Sequence, residues 1–455
     1  MLRSNSRLHR TLGPSGVDFL EFASGAIERI LPHVQLTHWD EDTWAEPKCV
    51  WTSSQRTAIR ITVSIGARDE ENARSLTAEI SRRQVPAIGR IGPRVLDTRE
   101  HDICKRIELR LHEVLRNTDL DTNTASIRAI RDAFDEYIVA KHVQKYHGLD
   151  MQVDAVFDAL HMLSEQTYEN KSFTFGCILD PNWEGTNVES PFPADLLKSK
   201  KYKALSDGFR TAYHISTNGQ VLNFVDLERF ETAPLTEKHF YPEWAEAIAR
   251  ASRHGRCGIS LSRQGDILVF DEGSLRLTYR YGKWQYWNHA HLLDLLRDRA
   301  RAQRVPRQLL GRVVGAIYRA ALDVSFRRSG GLFVILHNRN SLRDVTRAGD
   351  AVNDSARDAA DRQFDDVVRD QTIQGLPRAV VVELASLDGA IVLDNSGQLL
   401  AYGAVLQPKR SGRLHGTEGS RTKAAIGASM YGLAIKISSD GDITVYHNGR
   451  EFIRI

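Results

Sequence analysis

Cysteine is scarce in this chain of 455 residues: Cys49, Cys104, Cys177 and Cys257 lie far apart, and no Cys-x-x-Cys pair occurs. That spacing excludes a zinc-binding thiolate pair and a disulfide framework, and it fits a reducing compartment. Long apolar runs are also missing. No stretch approaches the roughly 18 residues of a membrane span, so no membrane partner is expected. The opening MLRSNSRLHR is basic and has no apolar core, which excludes a secretory signal, and a cytoplasmic location is expected. No Walker A loop, dinucleotide fingerprint or nucleophile elbow is present. The net charge of +3 is too small to argue for nucleic acid as a partner. What remains is an ordinary globular composition, 42% hydrophobic and 26% charged, long enough for two or three domains.

Periodicity divides the chain into an N-terminal α/β and helical region over 1–165, a hairpin-rich region over 166–300 and a third region over 301–455. Thr57–Ala67 reads as a strand and Asn72–Gln84 as a helix. Ile107 to Glu169 is helical by pattern, with Ile127, Ile130, Phe134, Tyr137 and Ile138 on one stripe and Val153, Val156, Phe157, Leu160 and Leu163 on another. Phe173–Leu179 reads as a buried strand, and the Pro- and Gly-bearing stretch after it as a loop. Asn218-Gly219 centres a hairpin spanning Ala212–Val225. A helix follows over Glu243–Ser252, then a hairpin turning at Gln264-Gly265 and a strand over Leu275–Trp287. Ile259–Gly273 (ISLSRQGDILVFDEG) aligns without gaps to Ile435–Gly449 (IKISSDGDITVYHNG). Shared hairpin grammar explains this echo, with a duplication as the alternative.

From Gln308 onward the pattern is that of a layered α/β domain. Leu309, Leu310, Val313, Val314, Ile317, Ala320, Ala321 and Val324 form one helical face. It is followed by Gly330-Gly331, the apolar strand LFVIL, a polar acidic stretch over Asp344–Asp370 and a strand over Ala379–Glu383. Asp388-Gly389-Ala390 then leads into the apolar run IVL. An acid and a glycine at the entry to a buried strand place a carboxylate at a sheet end with open backbone beside it. After the turn Asn395-Ser396-Gly397 and a returning strand over Gln398–Leu406, a glycine-rich loop ends at Gly419-Ser420-Arg421-Thr422-Lys423. A helix reads from Ala424. Free helical N–H groups, a hydroxyl and two cations would converge there, which suits a polyphosphate.

These blocks, taken in order as GGLFVIL, LDGAIVL, AYGAVLQP, GSRTKAAIGAS and AIKISSDGDITVYHNG, resemble the diadenylate cyclase (DAC) domain family, the domain that opens DisA-type proteins. The resemblance covers about Gln308 to Gly449. It implies that Asp388 holds a divalent metal, Mg²⁺ or Mn²⁺, and helps activate a ribose 3′-hydroxyl. It further implies that Gly389 and Ala390 line the ribose and base, and that Leu406 offers its backbone to adenine. Gly419, Ser420, Arg421, Thr422 and Lys423 would surround the triphosphate of ATP. The implied reaction joins two ATP into cyclic di-AMP with release of two pyrophosphates, between two copies facing each other in a homodimer. The family's Arg-His-Arg is here Arg421-Thr422-Lys423, and lysine cannot reproduce the guanidinium fork. Its Leu-Pro-Leu is Leu406-Gln407-Pro408, and its Ser-Glu-Glu is Ser438-Ser439-Asp440. Branches of the superfamily resemble nucleotide sensors, and a silent sensor of the same fold is the alternative.

Other chemistry is weaker in the sequence. Ser420-x-x-Lys423 spells a serine acyl-enzyme motif, but its S-D-N and K-T-G partners are absent. His142/His147 and His289/His291 lack metalloprotease spacing and read as ordinary histidines. The arginines at 297, 299, 301, 304, 307 and 312 read as a solvated helix face or a subunit contact. Trp284, Tyr286 and Trp287 read as packing.

Overall fold

The computed structural model describes residues 24–32, 34–42, 58–65, 74–82, 96–117, 133–184, 191–194, 196–352, 359–410 and 419–454. It is a mixed α/β structure, as the patterns predict. The described chain forms two compact units: one contains the residues up to His239 with Trp244–Trp287, the other Phe240–Glu243 with the residues from Asn288 onward.

In the first unit, β1 (Val34–Asp42), β2 (Ala58–Ile65) and β3 (Arg74–Arg82) form an antiparallel sheet in the order β1-β3-β2. The helix expected over Asn72–Gln84 is therefore the central strand β3. Leu76, Ala78 and Ile80 recur every second residue, a strand period that a helical reading overlooks. The helical region resolves into Thr98–Asn117, Phe134–Tyr146 and Val153–Ser164. Ile127 and Ile130 lie outside the described residues. A short ribbon of β4 (Thr167–Tyr168) and β5 (Lys171–Ser172) follows.

A seven-stranded sheet completes this unit: β6 (Phe175–Asp180), β7 (Thr211–Ser216), β8 (Val221–Asp226), β9 (Cys257–Leu261), β10 (Ile267–Asp271), β11 (Ser274–Arg280) and β12 (Lys283–Tyr286). Their order is β12-β11-β10-β9-β6-β7-β8. The single strand expected over Leu275–Trp287 is thus a hairpin, because Tyr281 and Gly282 take positive φ (50° and 74°) and reverse the chain. Phe157 of the third helix packs on Trp284 with ring centroids 4.6 Å apart, inside a core shared by the helices and one face of the sheet. The opposite face carries the helix Glu246–Ala251, whose Ile248 stands over Gly258.

The second unit is built on β13 (Gly331–Leu336), β14 (Ala390–Leu393), β15 (Leu399–Ala404), β16 (Gly432–Ile437), β17 (Ile443–His447) and β18 (Arg450–Arg454), in the order β15-β14-β13-β16-β17-β18. Only β13 and β14 run parallel. The helix Arg307–Arg327 buries Val313, Val314, Ile317, Ala320, Ala321 and Val324, the face its periodicity predicts. It lies against one side of the sheet, with Val324 over Gly331. Leu332, Val334 and Leu336 point to the other side, under the helix Ser420–Ala428. A sheet covered on both faces explains why its strands read as unbroken apolar runs.

The strand expected over Ala379–Glu383 is instead the helix Arg378–Ser386. Valine-rich composition favours a strand locally, but burial of Val381, Val382, Leu384 and Ala385 follows a helical stripe. Its first turn is anchored by Arg378, which donates to both carboxylate oxygens of buried Asp323 at 2.6 and 2.8 Å. Asp323 also accepts from the Glu243 N–H at 2.7 Å. Tertiary contacts override the β preference of the valines.

Candidate functional site

One edge of the six-stranded sheet gathers the chemistry. Because β13 and β14 are parallel and β15 and β16 antiparallel to them, the starts of β13 and β14 and the ends of β15 and β16 all fall on this edge. Gly330 precedes β13 with φ of 69°, and Asp388-Gly389 precedes β14. Gly389 has φ of 120°, and a side chain there would collide with the Gly403 carbonyl carbon. Only glycine allows the Asp388 loop to press against β15 in this way. Ala390 pairs with Ala404 at the end of β15, two residues before Leu406.

The helix Ser420–Ala428 opens at the same edge. It begins at Ser420, one turn earlier than the expected start at Ala424, with Gly419 as N-cap and no side-chain cap bond. Its first backbone bond runs from Lys423 N–H to Gly419 C=O at 3.0 Å, and the N–H groups before it have no partner within the helix. Arg421 crosses directly over Gly330, whose missing side chain makes the room. The Arg421 Nη2 stands 3.8 Å from Asp388 Oδ1, and Asp388 is otherwise fully exposed. The carboxylate and the cationic helix start therefore lie together at one end of the sheet. Ser420 and Lys423 are exposed, and Thr422 is half-buried.

Leu406 is placed by a bridge to Thr346. The bonds of that bridge run from Arg347 N–H to Val405 C=O at 3.1 Å and from Gln407 N–H to Val345 C=O at 2.7 Å. In this antiparallel pattern the N–H and C=O of Leu406 itself turn away from residues 344–352. Val405 and Leu387 are exposed apolar side chains near the same loop.

One further candidate side chain escapes the sequence reading. Lys436 on β16 is register-paired with Leu332 and Thr444, so it faces the helix Ser420–Ala428, and its Nζ donates to Thr422 Oγ1 at 3.0 Å. Burial lowers its pKa, and the charges of Arg454 and Arg421 push the same way. Asp442 and Glu451 oppose this in part, so Lys436 is a half-buried lysine among charges of both signs, beside a helix N-terminus. In sequence, a lone lysine in an alternating strand looks like the solvent face of a hairpin.

Against known proteins, no family model matches this chain, and no curated protein matches it. Among solved structures it is similar to a hypothetical membrane spanning protein from Bacillus cereus, at 17% identity and TM-score 0.25, over 36% of this chain and 74% of that one. It is also similar to a double mutant of DacA from Staphylococcus aureus, a diadenylate cyclase, at 21% identity and TM-score 0.23, over 31% of this chain and 86% of that one.

The remaining candidates are structural. His142 Nδ1 bonds Asp102 at 2.7 Å, His147 Nδ1 donates to the Gly255 carbonyl at 3.0 Å, and His289 Nδ1 bonds Tyr318 Oη at 2.8 Å. Among the described residues no group of three or more His, Cys, Asp or Glu could hold a metal, and no helix is long and apolar enough to cross a membrane. In the arginine run, Arg297 pairs with Asp294, Arg301 with Asp298, and Arg299 lies 3.8 Å over the Phe452 ring. Trp284, Tyr286 and Trp287 are buried to 2% exposure or less, so they offer no stacking platform.

Proposed function

We propose that the C-terminal unit binds an adenine nucleotide of the ATP class in the manner of a diadenylate cyclase domain. The observation that carries this reading is the meeting of Asp388 and Arg421 at 3.8 Å, beside Lys436 and a helix start whose N-cap is a glycine. Polyphosphate would lie against the N–H groups of the first helical turn, with Ser420, Arg421, Thr422, Lys423 and Lys436 supplying hydroxyls and positive charge. Gly389 and Ala390 would flank the ribose, and the outward N–H and C=O of Leu406 would meet the edge of the base.

A Mg²⁺ or Mn²⁺ ion carried in with the nucleotide fits this donor set. A magnesium ion commonly uses one or two carboxylates and completes its shell with phosphate and water. Asp388, exposed and unencumbered except by Arg421, is the one protein ligand it would take. The ion would supply neutralisation of phosphate charge.

Two outcomes are open to such a site. As a cyclase, it would condense two ATP into cyclic di-AMP and two pyrophosphates, with the Asp388 carboxylate holding the divalent ion and helping to activate the attacking ribose 3′-hydroxyl. As a sensor, it would bind a nucleotide or nucleotide second messenger without turnover. The sensor reading is favoured by Thr422 and Lys423, which replace two family positions and leave one guanidinium, that of Arg421, among residues 421–423. Incubation of the full chain with ATP and Mg²⁺ or Mn²⁺, with Asp388→Asn as the control, decides between them. Cyclic di-AMP that disappears in the variant supports the cyclase. Nucleotide binding without product supports the sensor, and no nucleotide binding at all overturns both.

A further inference from the structure

We infer that the seven-stranded and six-stranded sheets are two copies of one module, and that the first copy has lost the polar site, so that each chain carries a single nucleotide site. The second half of this inference rests on the nucleotide reading above. The first half does not.

The strand order β8-β7-β6-β9-β10-β11 repeats as β15-β14-β13-β16-β17-β18, and in each sheet only the pair at the second and third places is parallel. The registers coincide as well. Phe175 pairs with Leu261 as Gly331 pairs with Ile437, and Cys177 with Tyr213 as Phe333 with Ile391. The hairpin slip between His214 and Ile215 recurs between Val392 and Leu393, and the slip between Val269 and Phe270 recurs between Val445 and Tyr446; the second copy adds one slip of its own, between Ala390 and Val392. Hairpin grammar accounts for alternating apolar residues, but it does not place irregularities at the same steps of matching strands.

A buried serine makes the correspondence atomic. Ser252, just after the helix Glu246–Ala251, donates its hydroxyl to Ala249 C=O at 2.7 Å and accepts from Gly273 N–H at 3.3 Å; its own C=O accepts from Glu272 N–H at 3.1 Å. Ser429, just after the helix Ser420–Ala428, donates to Ile426 C=O at 2.7 Å and accepts from Gly449 N–H at 2.9 Å; its C=O accepts from Asn448 N–H at 3.0 Å. Both serines are fully buried, and both turns use two left-handed residues, at φ 47° and 74° in one and 51° and 71° in the other. The sequence echo of Ile259–Gly273 with Ile435–Gly449 is the visible end of this repeat.

The same correspondence shows what the first copy gave up. Strand register sets Arg210 where the second copy has Asp388, and the serine tether sets Trp244 where it has Arg421, Glu246 where it has Lys423, and the strand pairing sets Ser260 where it has Lys436. Trp244, at the Arg421 position, meets not Arg210 but its neighbour Phe209, the match of Leu387, in an edge-to-face contact with centroids 4.9 Å apart. In place of the Lys436 ammonium, the Ser260 hydroxyl donates to the Gly208 carbonyl at 3.5 Å. Acid is replaced by base, and base by acid. Nothing there would hold a polyphosphate.

The test uses the full chain. Equilibrium dialysis with ATP and Mg²⁺ should give about one nucleotide per chain, and photolabelling with an azido-ATP should map to residues 386–436. Arg210→Ala should leave the stoichiometry unchanged. Two nucleotides per chain, or label on residues 206–262, would overturn the single-site inference. No binding at all overturns the nucleotide reading and the single-site statement together, while hydrogen exchange still decides the repeat. In the wild-type chain the Gly273 and Gly449 amides should exchange slowly. Ser252→Ala should accelerate exchange in the Glu272-Gly273 turn roughly tenfold and spare Asn448-Gly449, and Ser429→Ala should do the reverse. Fast wild-type exchange at either glycine, or variants without this paired selectivity, would overturn the repeat.

Discussion

Lys436 shows how a single side chain changes the reading of a site. It donates to the Thr422 hydroxyl, with Arg454 and Arg421 and the carboxylates of Asp442 and Glu451 nearby, and it is the added cation of the proposed site. Lys436→Met should weaken ATP binding by about tenfold or more, in line with loss of a charge-assisted contact, and titration calorimetry would show it. Thr422→Val, which keeps the cation, should cost less. An unchanged affinity in Lys436→Met would remove the residue from the site. Asp388 was legible in sequence because its glycine and strand follow it immediately. Lys436 was not, because the helix it faces precedes it across a turn, and only sheet register brings them together. Gly389→Ala should be poorly tolerated, since its φ and the Gly403 backbone both exclude a side chain. The expected signs are a lowered melting temperature and lost binding.

Elements differ in how well local pattern announces them. The helix Arg307–Arg327 carries a long apolar stripe and was read correctly, as was the buried strand β13. Arg378–Ser386 departs from its local pattern, because three successive valines favour a strand, whereas Asp323 and the neighbouring helix hold its start in helical geometry. Asp323→Ala should destabilise the C-terminal unit by about 3 kcal/mol, because it strands the Arg378 charge. Chemical denaturation followed by circular dichroism would measure it. The His147 ring, at the end of Phe134–Tyr146, ties that helix to the turn at Gly255. Burial holds its pKa below the usual histidine value. Above pH about 6.5 the ring is neutral whether folded or not, and no stability is lost. As the pH falls below that value the unfolded chain takes up a proton that the folded chain refuses, so stability declines until the folded pKa is reached. The urea midpoint should therefore drop between pH 7.5 and 5.5, and His147→Gln should flatten part of that drop.

At the scale of the whole molecule, two units with separate cores should unfold in separable steps. Scanning calorimetry should resolve two transitions, with Asp323→Ala lowering one and leaving the other in place. A single transition that shifts as a whole would show the units to be coupled. If the chain is a cyclase with one site, joining two ATP requires two chains, and the rate of cyclic di-AMP formation per chain should rise with protein concentration before levelling off. A rate per chain independent of concentration over a wide range would argue against assembly of two chains.

Reading along the chain was enough to announce the layered α/β class, the acid-glycine pair at 388–389 and the cationic helix start at 420–423, since each is a property of neighbouring residues. It was not enough to show that β13 and β14 are parallel, that Arg421 reaches across Gly330 to Asp388, or that Lys436 faces Thr422. These depend on pairing between strands far apart in sequence. The repeat divides along the same line. Its echo lies within one hairpin, but its proof lies in strand order, matched slips and two buried serines. Burial and backbone hydrogen bonding preserve those features after the surface residues have changed.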